Sequence, residues 1–374
     1  MSEPARTAWA LPIERMPVSR LSAPRLRSTR LGEWLSGMGY DTRAVLPSGN
    51  GSRGRGTGAA MLDAALWLAA APWLAARARR EGPALVLAAS VLHAPALALI
   101  RRSGRERPLV VVDAMGLRSM EVDRTARLAS ARALYRPAWR VLERLAFASA
   151  DVVLTVNDAT AETIRRRYGH PRVRTIRDAA ESELTRVRPA DRASIGVPEA
   201  SVVVCFMGSV VCRRLDRLFA AWRLLARDER LRLVVVGDGP DLDHYRHLAS
   251  ELPGVQLLGA LPRERALRAV RACDIAYTGS WSRAGFSFKL YEYLALGMPI
   301  LVEAKPQMRE TLRDGENAAF YSTTEDLVRQ VRRLAEDPGL RAHLGDGARR
   351  TFRAGHSLEA RRREFENALG ALDG

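Results

Sequence analysis

Two stretches of this 374-residue chain carry residue types able to hold a phosphorylated ligand. In Phe206-Met-Gly208-Ser209-Val-Val-Cys-Arg213-Arg214, a glycine follows an apolar run that reads as a buried strand. Glycine lets a ligand approach the backbone, and two arginines just before a helix offer forked donors to phosphate. The same pair also suits a solvated loop in an arginine-rich protein. In Ala284-Gly285-Phe286-Ser287-Phe-Lys289-Leu-Tyr-Glu292, Gly285 and Ser287 stand where a helix begins, so free amides and the positive dipole end face outward. Glu292 follows Ser287 by a little over one turn, which sets a carboxylate beside that anion site. A diphosphate on the amides with a ribose hydroxyl on Glu292 is one reading. A helix glutamate that merely faces solvent is the other.

Further candidates stand singly. Asp113 ends the apolar run Pro108–Val112, and an acid at a strand's carboxyl end faces the ligand side of a parallel sheet. It serves there as an active-site residue or as a cap on its own loop. His93, in Ser90-Val-Leu-His93-Ala-Pro95, is either a contact for a second substrate or a satisfied structural histidine. Asp241-Leu-Asp243 follows Gly237-Asp-Gly-Pro240, where Asp241 reads as a helix N-cap rather than a divalent ligand. No metal site is expected. Three cysteines, Cys205, Cys212 and Cys273, form no metal spacing and are too few for a disulfide scaffold, which points to a reducing compartment.

Short apolar strands alternating with helices must position these residues. In the second half, strands are predicted at 201–207, 231–236, 255–258, 274–278 and 299–302. Helices are predicted near 215–227, 241–252, 264–272, 287–296 and 324–336, with a final helical stretch over 340–369. In the first half, strands are expected at 42–46, 85–89, 108–112 and 151–156, and helices at 31–35, 61–80 with a kink at Pro72, and 134–148. Gly49–Gly58 reads as a mobile loop and Arg177–Glu199, polar with two prolines, as the linker. The pattern is α/β: two Rossmann-like, doubly wound parallel-sheet domains facing each other across a cleft.

Charge narrows the partners. Formal net charge is +17, and lysine occurs only at 289 and 305, so 57 of the 59 cations are arginine. Residues 1–190 hold 31 Arg against 17 acids, or +14, and residues 191–374 hold 28 cations against 25 acids, or +3. The first half should attract anions such as a membrane surface or a phosphorylated acceptor; nucleic acid is disfavoured because no recognition motif accompanies the charge. The arginine bias suits a GC-rich bacterial genome. The opening MSEPARTAWALPIER lacks the apolar core of a signal peptide, and Ala59–Ala76 is broken by Asp63 and Pro72, so a cytoplasmic protein is expected. Met61–Leu74, with Trp67 and Trp73 and followed by Arg77, Arg79 and Arg80, either rests on an anionic membrane or packs on the first sheet.

The run KLYEYLALGMPILVE resembles the signature segment of family 4 glycosyltransferases of the GT-B fold. LGEWLSGMGYDTRAVLP, ADVVLTVNDATAETIRRRYG, LRLVVVGDGPDL and VQLLGALPRERALRAVRACDIAY resemble further segments of that family, in the family's order. The resemblance implies an N-terminal acceptor-binding domain at 1–185, a C-terminal donor-binding domain at 186–350, and a last helix, 351–374, packing back toward the first. It implies a retaining, metal-independent transferase that moves a sugar from a nucleotide donor, UDP- or GDP-linked, to a hydroxyl-bearing acceptor such as a glycolipid, polysaccharide or secondary metabolite. No cofactor is implied beyond the nucleotide sugar. Donor contacts fall on Gly208, Ser209, Arg213, Arg214, Gly285, Phe286, Ser287, Lys289 and Glu292, with Asp113 and Arg214 as catalytic candidates and His93 on the acceptor side. Two family positions are altered: the first acid of the E-x7-E motif is Ala284, and the first diphosphate cation is Ser209. Those departures, with Gly116 in the first half, sustain one rival, a non-catalytic relative that binds nucleotide or a partner protein; a nucleotide-sugar epimerase of the same fold class is the other, and it needs a richer set of cleft acids than the sequence offers. A pyridoxal-phosphate phosphorylase is disfavoured because neither lysine has a Schiff-base context.

Overall fold

The computed structural model describes residues 6–11, 23–45, 57–103, 107–120, 129–279 and 288–371. Two compact units emerge: one runs to Arg177 and resumes at Arg362, the other runs from Asp178 to Arg361.

In the first unit six parallel strands, β1 (Thr7–Leu11), β2 (Asp41–Ala44), β3 (Leu85–Ala88), β4 (Leu109–Ala114), β5 (Val152–Thr155) and β6 (Val173–Thr175), lie in the order β2-β1-β3-β4-β5-β6. The middle strands are unbroken apolar runs because helices cover both faces of the sheet. On one face, α2 (Thr57–Glu81), α3 (Ala94–Ser103) and α4 (Ala129–Ser149) bury Trp67, Leu74, Leu97 and Phe147 against Trp9, Val86, Val110 and Val112. On the other, α1 (Ala23–Gly37) packs Leu31 and Leu35 against Ala8, Leu85, Leu87 and Val111. Phe365 and Leu369 of the last helix complete that second face. Trp67 is therefore a core residue, whereas Trp73 is 40% exposed. A buried carboxylate, Glu143, accepts hydrogen bonds from the Ser119 amide at 2.9 Å and hydroxyl at 2.7 Å, and from the Tyr168 hydroxyl, tying α4 to α5 (Asp158–Tyr168) and to the chain after β4. Burial and that acceptor push the Tyr168 phenol up to about 12.

The second unit repeats the plan with β7 (Val202–Met207), β8 (Leu231–Val236), β9 (Val255–Gly259), β10 (Ile275–Thr278), β11 (Ile300–Glu303) and β12 (Ala319–Tyr321) in the order β12-β11-β10-β7-β8-β9, all parallel. Its helices are α6 (Cys212–Leu225), α7 (Leu242–Ser250), α8 (Arg263–Arg271), α9 (Phe288–Leu296), α10 (Thr324–Glu336) and α11 (Pro338–Arg353). The stretch read as one final helix is two, α11 and α12 (Leu358–Gly370), because Gly355 at φ 148° turns the chain and Ser357 bridges to Ala180. The polar segment after Asp178 is not a free linker. It forms 3-10 turns at Ser182–Arg186 and Ala193–Ile195 and buries Leu184, Ile195 and Val197 in the second unit's core. No helix among the described residues is long and apolar enough to cross a membrane.

Candidate functional site

In the second unit β7 is flanked by β8 and β10, whose connections leave in opposite directions, so the carboxyl end of β7 is the topological switch point of the sheet. Open parallel sheets bind ligands at that point. Gly208 follows β7 there at φ 136°, a conformation glycine adopts readily. The loop after it is stitched to the loop after β8: the Gly208 amide donates to Val236 O at 2.9 Å, and the Val210 amide to Asp238 O at 3.0 Å. Gly237 and Gly239 make this backbone-on-backbone packing possible, since a Cβ at either would lie 2.0 Å from the carbonyl oxygen of Gly208 or Val210.

Helix α9 brings Lys289 and Tyr293 to the same place, one turn apart. The Met207 amide donates to the Tyr293 hydroxyl at 2.9 Å, which pins α9 to the end of β7. Lys289 lies beneath Gly208: its Nζ sits 3.6 Å from the centroid of the Phe206 ring and 3.7 Å from where a Gly208 Cβ would stand. Lys289 is only 5% exposed, and its Nζ has no hydrogen-bond partner among the described residues. Burial, reinforced by the charge of nearby Arg214, depresses its proton affinity well below that of ordinary lysine, with Glu292 opposing the shift. Arg214 is itself largely buried, and burial lowers its own pKa. It lies within the first turn of α6 rather than ahead of the helix, so the loop contributes backbone and the helix contributes the cation. Its carbonyl accepts from the Tyr277 hydroxyl at 3.5 Å, and Tyr277 stacks on Tyr321 and accepts from its hydroxyl at 3.0 Å. Burial raises the Tyr277 phenol to about 12, so that aromatic pair stays neutral.

Glu292 occupies the more accessible side of α9, with its side chain 17% exposed. Its Oε1 accepts from Arg263 at 2.9 Å, and the other amino group of Arg263 donates to Glu181 at 2.5 Å. This clamp, from the start of α8 to α9, is absent from the sequence reading. Nothing in the spacing of 181, 263 and 292 announces it. Ser209 is exposed. The side chain of Arg213 and residues Gly285, Phe286 and Ser287 lie outside the described residues, as does the altered position Ala284.

The first-unit candidates have interior settings. His93 is fully buried and meets the Trp67 ring edge-on at 4.2 Å. Asp113 is 1% exposed, and its carboxylate accepts from Arg27 Nε at 2.8 Å and from another guanidinium nitrogen at 2.9 Å. Arg27 is 86 positions away in sequence, beyond any local signal. Among the described residues no group of acids, histidines or cysteines has the makings of a metal site. Asp241 holds the N-cap position of α7 without a capping bond from its side chain, and Asp243 pairs with Arg246 at 2.8 Å.

Two Rossmann-like units, the second with a cation-lined switch point, fit the GT-B class, and solved structures share that fold over nearly the whole chain. Sucrose-phosphate synthase from Thermosynechococcus elongatus matches with a TM-score of 0.78 at 16% identity, covering 98% of this chain and 99% of its own. HepE of Anabaena, solved with UDP-glucose, matches with a TM-score of 0.73 at 14% identity, covering 98% of this chain and 100% of its own. Residues 187–351 match the glycosyl transferases group 1 family and residues 22–178 the glycosyl transferase 4-like domain. The chain belongs to the family 4 glycosyltransferases. A D-inositol 3-phosphate glycosyltransferase of Rhodococcus jostii is 30% identical over 226 residues, covering 56% of this chain and 50% of its own. The chain spans about half to 62% of the length of the curated relatives it matches.

Proposed function

We propose that the protein transfers a sugar from a nucleotide-sugar donor to a hydroxyl-bearing acceptor, with the donor held in the second unit. The observation that carries this reading is the buried, hydrogen-bond-poor Lys289 amine set beside Arg214 under Gly208. A buried amine whose charge is disfavoured by burial and by a neighbouring arginine at a sheet's switch point is stabilised when an anion lies beside the two cations, and a diphosphate supplies that charge. Lys289 thus takes over the cationic duty that Ser209 lacks. Glu292, steadied by Arg263, is the ribose acceptor, and Gly208 admits the phosphates to the backbone. The UDP and UDP-glucose bound by HepE make uridine the first base to test, ahead of guanosine.

With this pair on the leaving diphosphate, departure of the nucleotide needs electrostatic stabilisation rather than a metal. The absence of an acid at Ala284 suits a retaining reaction in which the departing phosphate oxygen takes the acceptor's proton. Asp113 acts on the acceptor side by fixing Arg27, a positioning duty that its enclosed carboxylate suits better than proton transfer. The basic first half and the phosphorylated acceptor named for the Rhodococcus relative together favour an anionic acceptor. We place the enzyme in the cytoplasm. Thermal-shift titration with UDP, GDP, TDP and ADP tests the donor site: one nucleotide should raise Tm, and Glu292→Ala should abolish the rise. A flat response to all four refutes the donor site and leaves a partner-binding relative as the better reading.

A further inference from the structure

Four of the five large apolar side chains most exposed among the described residues lie on one layer of the first unit: Leu68 and Trp73 on α2, Leu99 on α3 and Val141 on α4, exposed by 46%, 40%, 37% and 66%. These helices cover the same face of the sheet and pack on one another, so the sides turned away from the sheet form a continuous surface. Arginines are interleaved with the apolar residues. Arg79 and Arg80 follow Trp73 on α2, Arg102 follows Leu99 on α3, and Arg140 and Arg144 flank Val141 on α4. All five are exposed, and none forms an ion pair with a described residue. Of the acids in these helices whose side chains are described, Glu81 is paired with Arg77 at 2.6 Å and Glu143 is buried. Arg77 also lies 5.5 Å from the centroid of the Trp73 ring, which holds that ring at the surface beside the charge.

We propose that this outer face of α2, α3 and α4 docks on an anionic lipid bilayer, with Leu68, Trp73, Leu99 and Val141 entering the headgroup boundary and the unpaired arginines contacting lipid phosphates. Apolar side chains spaced among unpaired cations, with Glu81, the exposed acid described there, already neutralised by Arg77, are the features of an interfacial surface. A purely electrostatic polyanion site has no use for four exposed apolar groups, and a protein interface of this size leaves charges at its rim rather than through its centre. Tryptophan carries an apolar body with a polar edge suited to the headgroup region. The docking surface is independent of the donor-site reading.

The test uses the full chain with vesicles of phosphatidylcholine alone and of phosphatidylcholine with an equal part of phosphatidylglycerol, read by co-sedimentation and tryptophan fluorescence. The anionic vesicles should bind the chain, the neutral ones far less, and Trp73→Phe should remove the blue shift. Each arginine near an anionic leaflet strengthens binding about fivefold, so Arg79→Glu with Arg102→Glu should weaken it at least about 25-fold while Tm stays unchanged. Reversal of Arg350 and Arg353, exposed on α11 of the second unit, is the control. Absence of binding to anionic vesicles overturns the proposal, as does equal loss in the control pair, which would reflect net charge alone. Tighter capture by heparin or RNA without any Trp73 blue shift on vesicles overturns it too, in favour of a soluble polyanion. Nucleotide binding in the same samples reports separately on the donor site.

Discussion

Replacing Lys289 by methionine should stabilise the free protein and cripple nucleotide binding at once. Methionine keeps the unbranched stem that packs on Phe206 and removes the buried amine, whose Nζ has no hydrogen bond among the described residues. An unmade hydrogen bond at a buried polar group costs about 1–3 kcal/mol. At about 3 °C per kcal/mol for a unit of this size, Tm should rise by about 3–9 °C. The pH dependence has a definite sign. Burial and Arg214 hold the folded-state pKa of Lys289 below the ordinary 10.5, so beneath that value the unfolded chain binds a proton the folded chain refuses. The wild type therefore loses stability as pH falls from 10.5 toward the folded-state pKa. The gain from Lys289→Met is smallest at high pH, grows through that window, and levels off below it. Binding moves the other way: loss of a charge-assisted contact to phosphate, worth about 1.5–3 kcal/mol, weakens nucleotide affinity about 10- to 150-fold. Scanning fluorimetry across pH and calorimetric titration with UDP measure both arms. A variant that melts lower than wild type, or that binds UDP as tightly, would refute the assignment of Lys289 as a strained phosphate ligand.

Three further outcomes are expected. Arg263→Ala should lower UDP affinity about two- to fivefold, as expected for a partly exposed ion pair, against a larger loss for Glu292→Ala; equal losses would make Arg263 a direct ligand. Gly237→Ala forces a Cβ onto Gly208 O at a φ of 140°, so Tm should drop several degrees and nucleotide binding should fall with it; unchanged binding would mean the loop after β7 does not shape the site. Asp113→Asn weakens the charge-assisted bonds that Asp113 accepts from buried Arg27 and should cost about 1.5–3 kcal/mol of stability in chemical denaturation, with little effect on UDP binding.

Sequence patterning located the second unit closely because its strands are continuous apolar runs bounded by short turns: Leu231–Val236 and Thr324–Glu336 fall where they are predicted. The first unit is less legible. Thr7–Leu11 is a five-residue strand in an opening that otherwise resembles a tail, and Val173–Thr175, like Ala319–Tyr321 in the second unit, is too short for periodicity to register. Within the site, Lys289 and Glu292 are legible by type, but their environments are not. Helix α9 is enclosed on nearly every side, so Lys289 has no polar face to turn to, and only the three-dimensional packing reveals the buried amine. The pairs Arg27–Asp113 and Arg263–Glu292 join residues from separate elements, and no local spacing encodes them.

The last helix sets a timetable for synthesis. Phe365, fully buried 5.6 Å from Trp34, and Leu369 belong to the core of the unit whose other residues end at Arg177. When the ribosome has finished that first stretch, one face of its sheet still lacks these side chains. They emerge only after the whole second unit has been made, a delay on the order of 10–40 s at ordinary elongation rates. The unit translated first is therefore completed last, and during that interval its apolar face between Leu31, Leu35 and Leu85 is the surface most in need of a chaperone.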